Sequence, residues 1–140
     1  MGELLLRKAL LVQGRVAKLR AALPARPEDV LADERLEAFL SFHLFLLIQD
    51  AIDLASHLVA VRGLAVPGSQ REVFQALADA GLLSAEAGQA MGQMASLRNR
   101  TAHAYGDLDP VRMAREAPAG LVHVERMLGE LAKAIAEATP

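Results

Sequence analysis

The chain has 140 residues, a length that suits one domain with one core, and it contains no cysteine, which excludes disulfides, zinc–thiolate sites and thiol chemistry. Hydrophobic residues make up 53%, mostly Leu and Ala, against 4% aromatics, a mix that favours helices over sheets. The net charge of −2 excludes a grip on long nucleic acid through bulk electrostatics, so any RNA contact would depend on a local patch, such as Arg98 with Arg100.

Five helical segments are predicted, and no segment alternates like a strand. The first spans roughly Glu3 to Ala22, with Leu4, Leu5, Leu11, Val12 and Leu19 near one face and Arg7, Lys8, Arg15 and Lys18 facing out. Leu23-Pro24-Ala25-Arg26-Pro27 breaks it. The second starts between Glu28 and Glu34, with Pro27 at its first turn or Asp33 as its cap, and continues to about Arg62 before Gly63. It is apolar on most of its circumference and is expected at the buried centre of a bundle. Ser69-Gln70-Arg71-Glu72 reads as a capping box opening the third helix, which ends at Gly81. Ser84 caps the fourth, with Met91, Met94 and Leu97 facing inward, and Asp109-Pro110 opens the fifth, which could bend at Pro118 and runs to about Glu137. The expected architecture is all-α: an antiparallel four-helix bundle with one additional short helix, in a single domain over residues 1–140.

No tract reaches the roughly 18 uninterrupted apolar residues of a membrane span. The N-terminus lacks the basic region and cleavage site of a signal peptide, so a cytoplasmic protein is expected.

The end of the fourth helix carries the densest chemistry: Arg98-Asn99-Arg100-Thr101-Ala102-His103-Ala104-Tyr105. Arginine offers a planar fork of donors to phosphate oxygens, and histidine gives or takes a proton near neutral pH. Arg98 and His103 stand about 140° apart around a helix axis, yet both can reach one groove. The pair suits a phosphodiester, with Arg98 on the phosphate and His103 moving a proton. It equally suits a helix C-terminus that places cations against the dipole. Asn99 could brace a neighbouring side chain, and Tyr105 is the chain's single tyrosine.

On the second helix, Asp50, Asp53 and His57 share one face, and His43 extends that stripe. Either Asp50 or Asp53 could orient Arg98 or His103; an internal Asp53–His57 pair or a plain solvent face is the other reading. The four could also ring a metal, though no strict ligand motif is present, and none is expected.

The arrangement Arg98, four residues, His103, one residue, Tyr105 resembles the R-x4-6-H signature of HEPN domains, in the R-x4-H-x-Y form of HepT-like toxins. Ala51-Ile52-Asp53-Leu54-Ala55-Ser56-His57 is similar to that branch's second helix, and Pro67 through Leu83 to its following segment. The resemblance covers about Leu36 to Asp109. It implies an α-helical bundle, a homodimer, and a metal-independent, cofactor-free endoribonuclease whose cleft forms where two motifs face each other. Arg98 and His103 would be its catalytic residues and RNA its substrate. The resemblance further implies a partner, an MntA-type nucleotidyltransferase antitoxin, which attaches AMP units at the position of Tyr105. The alternative is a non-catalytic module that binds a nucleotide or the nucleotidyltransferase.

Overall fold

The computed structural model describes residues 2–64, 67–103 and 109–138, with the side chains of 98–103 outside the description. Five α-helices and one 3-10 turn follow in order: α1 (Gly2–Ala22), the 3-10 turn (Pro27–Ala32), α2 (Glu34–Val61), α3 (Gln70–Asp79), α4 (Ala85–His103) and α5 (Pro110–Glu137).

Local chemistry explains each boundary. Asp33 caps α2: its carboxylate accepts from the Arg35 and Leu36 N–H groups at 3.0 and 3.1 Å. Pro27 opens the separate 3-10 turn rather than α2 itself. Gly63 and Gly81, at φ 65° and 78°, turn the chain after α2 and α3. The Ser69 hydroxyl accepts from the Glu72 N–H at 3.4 Å, but the Glu72 carboxylate reaches back to the Gly68 N–H at 2.9 Å, one residue earlier than a strict capping box. Ser84 caps α4 by accepting from the Ala87 N–H at 3.1 Å. The Ser84 N–H and hydroxyl in turn donate to Glu130 of α5 at 2.6 and 3.1 Å. The N–H bond leads the causes that hold the Glu130 carboxyl below its usual range. Asp109 accepts from Val111 and Arg112 at the start of α5, which then runs through Pro118 as one helix.

Helices α1, α2, α4 and α5 form the four-helix bundle. Arg20 of α1 meets Glu125 and Glu28, just past α1, meets Arg115, while Ser84 meets Glu130 and Met94 lies beside Gly120, so α1 and α4 both run antiparallel to α5. Ser41 with Met113 and Arg62 with Glu137 set α2 parallel to α5. The core line of α2 is Leu40, Leu47, Leu54 and Leu58, each fully buried. Its length and apolar character also match a membrane span, with a mean hydropathy of 1.7; burial of this line against its neighbours accounts for that character. The helix is central, as expected, yet one of its apolar side chains, Phe42, is 59% exposed.

On α1, the buried line is Leu5, Val12, Val16 and Leu19. Leu4 and Leu11, expected on the same face, are exposed. Each precedes a core residue by one position, which rotates it about 100° away.

The short helix α3 packs antiparallel on α4 through glycines. A Cβ on Gly88 would meet the Ala78 Cβ at 3.1 Å and the Phe74 carbonyl at 3.3 Å, whereas one on Gly129 in α5 meets nothing within 4 Å. Gly88→Val should therefore push α3 off α4 and cost about 1–3 kcal/mol, while Gly129→Ala should stabilise by up to about 1 kcal/mol. Denaturant midpoints of the two variants, read in one titration series, check both signs.

Candidate functional site

Arg98, Asn99 and His103 occupy the last turns of α4; their side chains, and Tyr105 altogether, lie outside the described residues. What is described is the frame around them. Because α4 runs antiparallel to α5, residues 98–103 approach the start of α5, where Met113 accepts from the Ser41 hydroxyl at 3.6 Å. Residues 98–103 thus lie level with the N-terminal half of α2. Large apolar side chains open to solvent in this half of the molecule include Leu31 at 64%, Phe42 at 59% and Leu97 at 45%. Arg71 of α3 lies against Gly92, so α3 covers α4 earlier in its course.

The predicted supporting acids separate. Asp50 is held by α1: Arg15 Nε donates to its carboxylate at 2.7 Å, and both side chains are largely buried, at 15% and 13% exposure. Arg15 Nη1 also donates to His43 Nδ1 at 2.9 Å. Arginine has only donors, so this bond assigns His43 as a neutral ring with its proton on Nε2. The ring packs against Phe39, with centroids 4.1 Å apart, and edge-on to Phe42 at 5.5 Å. Asp53 is exposed and accepts from Gln49 Nε2 at 3.0 Å. The internal Asp53–His57 pair therefore does not form, and His57 Nε2 is buried with no hydrogen-bond partner among the described residues. His43, Asp50, Asp53 and His57 share a stripe but do not converge.

Arg15, expected to face outward, instead joins Asp50 and His43. One signal was available. Arg15 follows Val12 by three positions, at the edge of the apolar face, where a long side chain can reach the acids on a neighbouring helix.

A separate open cleft of about 450 Å3 lies between α2 and α3, lined by Val59, Leu64, Pro67, Ser69 and Val73 among others. It sits at the C-terminal half of α2, away from the end of α4.

The chain matches the family described as "Ribonuclease HepT-like" over residues 12–131. It belongs to the HepT-like family. Among solved structures, the tri-AMPylated HEPN toxin of Shewanella oneidensis in complex with its MNT antitoxin superposes with a TM-score of 0.84 at 20% identity, covering 95% of this chain and 99% of that one. A mutant of the MntA–HpeT toxin–antitoxin gives 0.80 at 19%, covering 92% and 98%. YutE of Bacillus subtilis, a cytosolic protein of unknown function, gives 0.83 at 14%, covering 98% and 92%. No curated protein gives a significant sequence match. The HEPN toxin fold expected from the motif is thus the fold of this chain.

His43 makes one electrostatic property of the frame measurable. Burial first, then the charges of Arg15 and Lys18 on α1, push its pKa below the usual 6.5. Asp50 neutralises Arg15 but does not touch the ring directly. A depressed histidine favours folding above its unfolded pKa, and that contribution is lost as pH falls below it. Thermal stability should therefore drop on acidification below about pH 6.5. His43→Gln, which keeps an acceptor for Arg15 and cannot titrate, should flatten that part of the Tm–pH curve.

Proposed function

We propose that this protein is the toxin of a HepT/MntA-type toxin–antitoxin pair, a cytoplasmic, metal-independent endoribonuclease. The observation that carries this reading is the R-x4-H-x-Y motif of Arg98, His103 and Tyr105 in the sequence, with Arg98 and His103 on the last turns of α4, in a chain of the HepT-like family.

RNA supplies its own nucleophile. The 2′-hydroxyl attacks the adjacent phosphorus, a new P–O2′ bond forms, and the P–O5′ bond breaks. The products are a 2′,3′-cyclic phosphate and a 5′-hydroxyl. One imidazole accepts the 2′-hydroxyl proton and one delivers a proton to the leaving O5′. His103 fills one of these roles, and His103 of a second copy fills the other. Arg98 stabilises the charge gathering on the phosphoryl oxygens, where a bidentate guanidinium is worth more than a point charge. Asn99 braces the motif. Of the two candidate acids, Asp50 is the one that supports the site, by fixing α1 on α2 through Arg15, whereas Asp53 bonds Gln49 on the exposed side of α2.

Exposure of Phe42 and Leu97 favours a homodimer that covers this face and brings two motifs together. The antitoxin partner is a nucleotidyltransferase of the MntA type, and Tyr105 is its acceptor. The phenol oxygen attacks the α-phosphorus of ATP and pyrophosphate leaves. The added adenylates place anionic charge beside Arg98, the cation that RNA needs.

Purified protein incubated with total RNA in EDTA tests the activity. Wild type should cleave, while Arg98→Ala and His103→Ala, both folded by circular dichroism, should lose at least about two orders of magnitude, as expected when a proton-transfer or charge-stabilising group is removed. Cleavage by both variants at the wild-type rate would overturn the assignment. No cleavage by any of the three, with saturable ATP binding by calorimetry, would favour a non-catalytic nucleotide-binding module.

Co-expression with the cognate nucleotidyltransferase checks the modification. Intact mass should rise in adenylate steps, and Tyr105→Phe should abolish the rise.

A further inference from the structure

Charge is distributed unevenly in this molecule. Helix α1 carries five cations and a single carboxylate, Glu3, within a chain whose net charge is −2. Four of those cations fall on one side of the helix. Taking Lys8 as the origin, Arg15, Lys18 and Arg7 follow within an arc of about 100°, and Leu4 and Leu11 lie inside the same arc. Arg15 marks which neighbour this arc borders, because it bonds Asp50 and His43 of α2. The arc is therefore the outer lip of the α1–α2 groove.

Most described cations elsewhere are paired, and the exceptions, Arg26, Arg35 and Arg71, stand on three separate segments rather than in a row. Arg20, Arg62, Arg112, Arg115 and Arg126 each pair with a carboxylate. Arg7, Lys8 and Lys18 form no ion pair among the described residues, and Arg7 and Lys18 are exposed. Leu4 and Leu11 between them are 46% and 50% exposed. Among the acids of α2 that border the groove, Asp50 is already bonded to Arg15 and Asp53 accepts from Gln49. From Arg7 to Lys18 the helix advances about 16 Å, a length that a single strand spans with a few phosphates.

We propose that this lip of α1 is a phosphate track for single-stranded RNA, with Arg7, Lys8 and Lys18 on the backbone and Leu4 and Leu11 as apolar ground for bases. The inference rests on RNA being the substrate, and it assigns a second contact region outside the R-x4-H motif. Charge complementarity selects the occupant: a row of unpaired cations on an otherwise acidic chain suits a polyanion and opposes a second copy of the same row. The Lys18 end of the track lies toward His43 of α2, whose pKa it helps depress, and so toward the half of the bundle that holds the end of α4. A strand laid on the track would continue across α2 to the motif. Such contacts position the strand without reading its sequence.

The test uses the full chain with His103→Ala as the parent, so that a labelled oligoribonucleotide stays intact. Affinity is measured from 50 to 400 mM salt for the parent, for Arg7→Gln/Lys8→Gln/Lys18→Gln, and for a control, Arg62→Gln/Arg115→Gln/Lys133→Gln. Each lost phosphate contact should reduce the slope of log K against log salt by about 0.7. The track variant should thus have a slope shallower by about 2 and bind roughly 100-fold more weakly at 0.1 M salt, with the control matching the parent. Equal slopes for the two triple variants would overturn the proposal, as would a parent that does not bind the strand. A change in sedimentation of the track variant with no change in slope would overturn it in favour of a contact between copies. Cleavage of RNA by wild type is read separately, so an active enzyme with an unchanged slope refutes the track alone, and an inactive one refutes the ribonuclease reading.

Discussion

The arrangement depends on α2. Its 28 residues run about 42 Å, and Leu40, Leu47, Leu54 and Leu58 form an unbroken buried line along it. Burying one such leucine is worth about 1.5–3 kcal/mol, so this line dominates the energetics that bring the other helices together. It is also indifferent to register. Leu40, Leu47 and Leu54 recur every seven residues, about two turns, so a neighbouring helix shifted by that repeat would meet nearly the same row.

The polar seam between α1 and α2 removes that freedom. A slide of one turn would move Arg15 by about 5.4 Å from both Asp50 and His43, leaving a carboxylate and an imidazole without their donor in a largely desolvated place. Pairs of this kind contribute little net stability over an apolar replacement, but separating them costs several kcal/mol. The seam thus specifies one alignment among several that the core would accept. The same alignment puts the Arg7–Lys18 lip against the outer side of α2 and holds His43 against Phe39, with Phe42 edge-on to it. Orientation of the functional surface follows from a polar interaction, while its existence follows from an apolar one.

Much of this was legible in the sequence, for specific reasons. Asp33, Ser69, Ser84 and Asp109 each accept from backbone donors of the following turn, which is local chemistry that needs no knowledge of the fold. The rotation of α1 was not legible. Leu4, Leu5, Leu11 and Val12 are two adjacent pairs, and hydrophobicity alone cannot say which member of a pair faces the core. Only the continuation through Val16 and Leu19 selects Leu5 and Val12. The partner of Asp50 was missed because Arg15 stands 35 residues away on another helix. Arg98 and His103, by contrast, fall on the single helix α4, as a local reading of the sequence places them.

The outward Phe42 unites these points. A 28-residue helix that was apolar simply because it was central would direct its aromatic side chains inward, yet Phe42 stands open beside a half-buried His43. Its exposure is no leftover of packing, since the helix turns Leu40 and Leu47 to the core on either side of it. An exposed aromatic flanked by a fixed imidazole costs solubility and contributes little to a monomer. Its placement is accounted for when this face of α2 is covered by a second chain. In the proposed dimer the basic lip of α1 stands at the rim of that contact, open to the proposed strand passing toward the ends of α4.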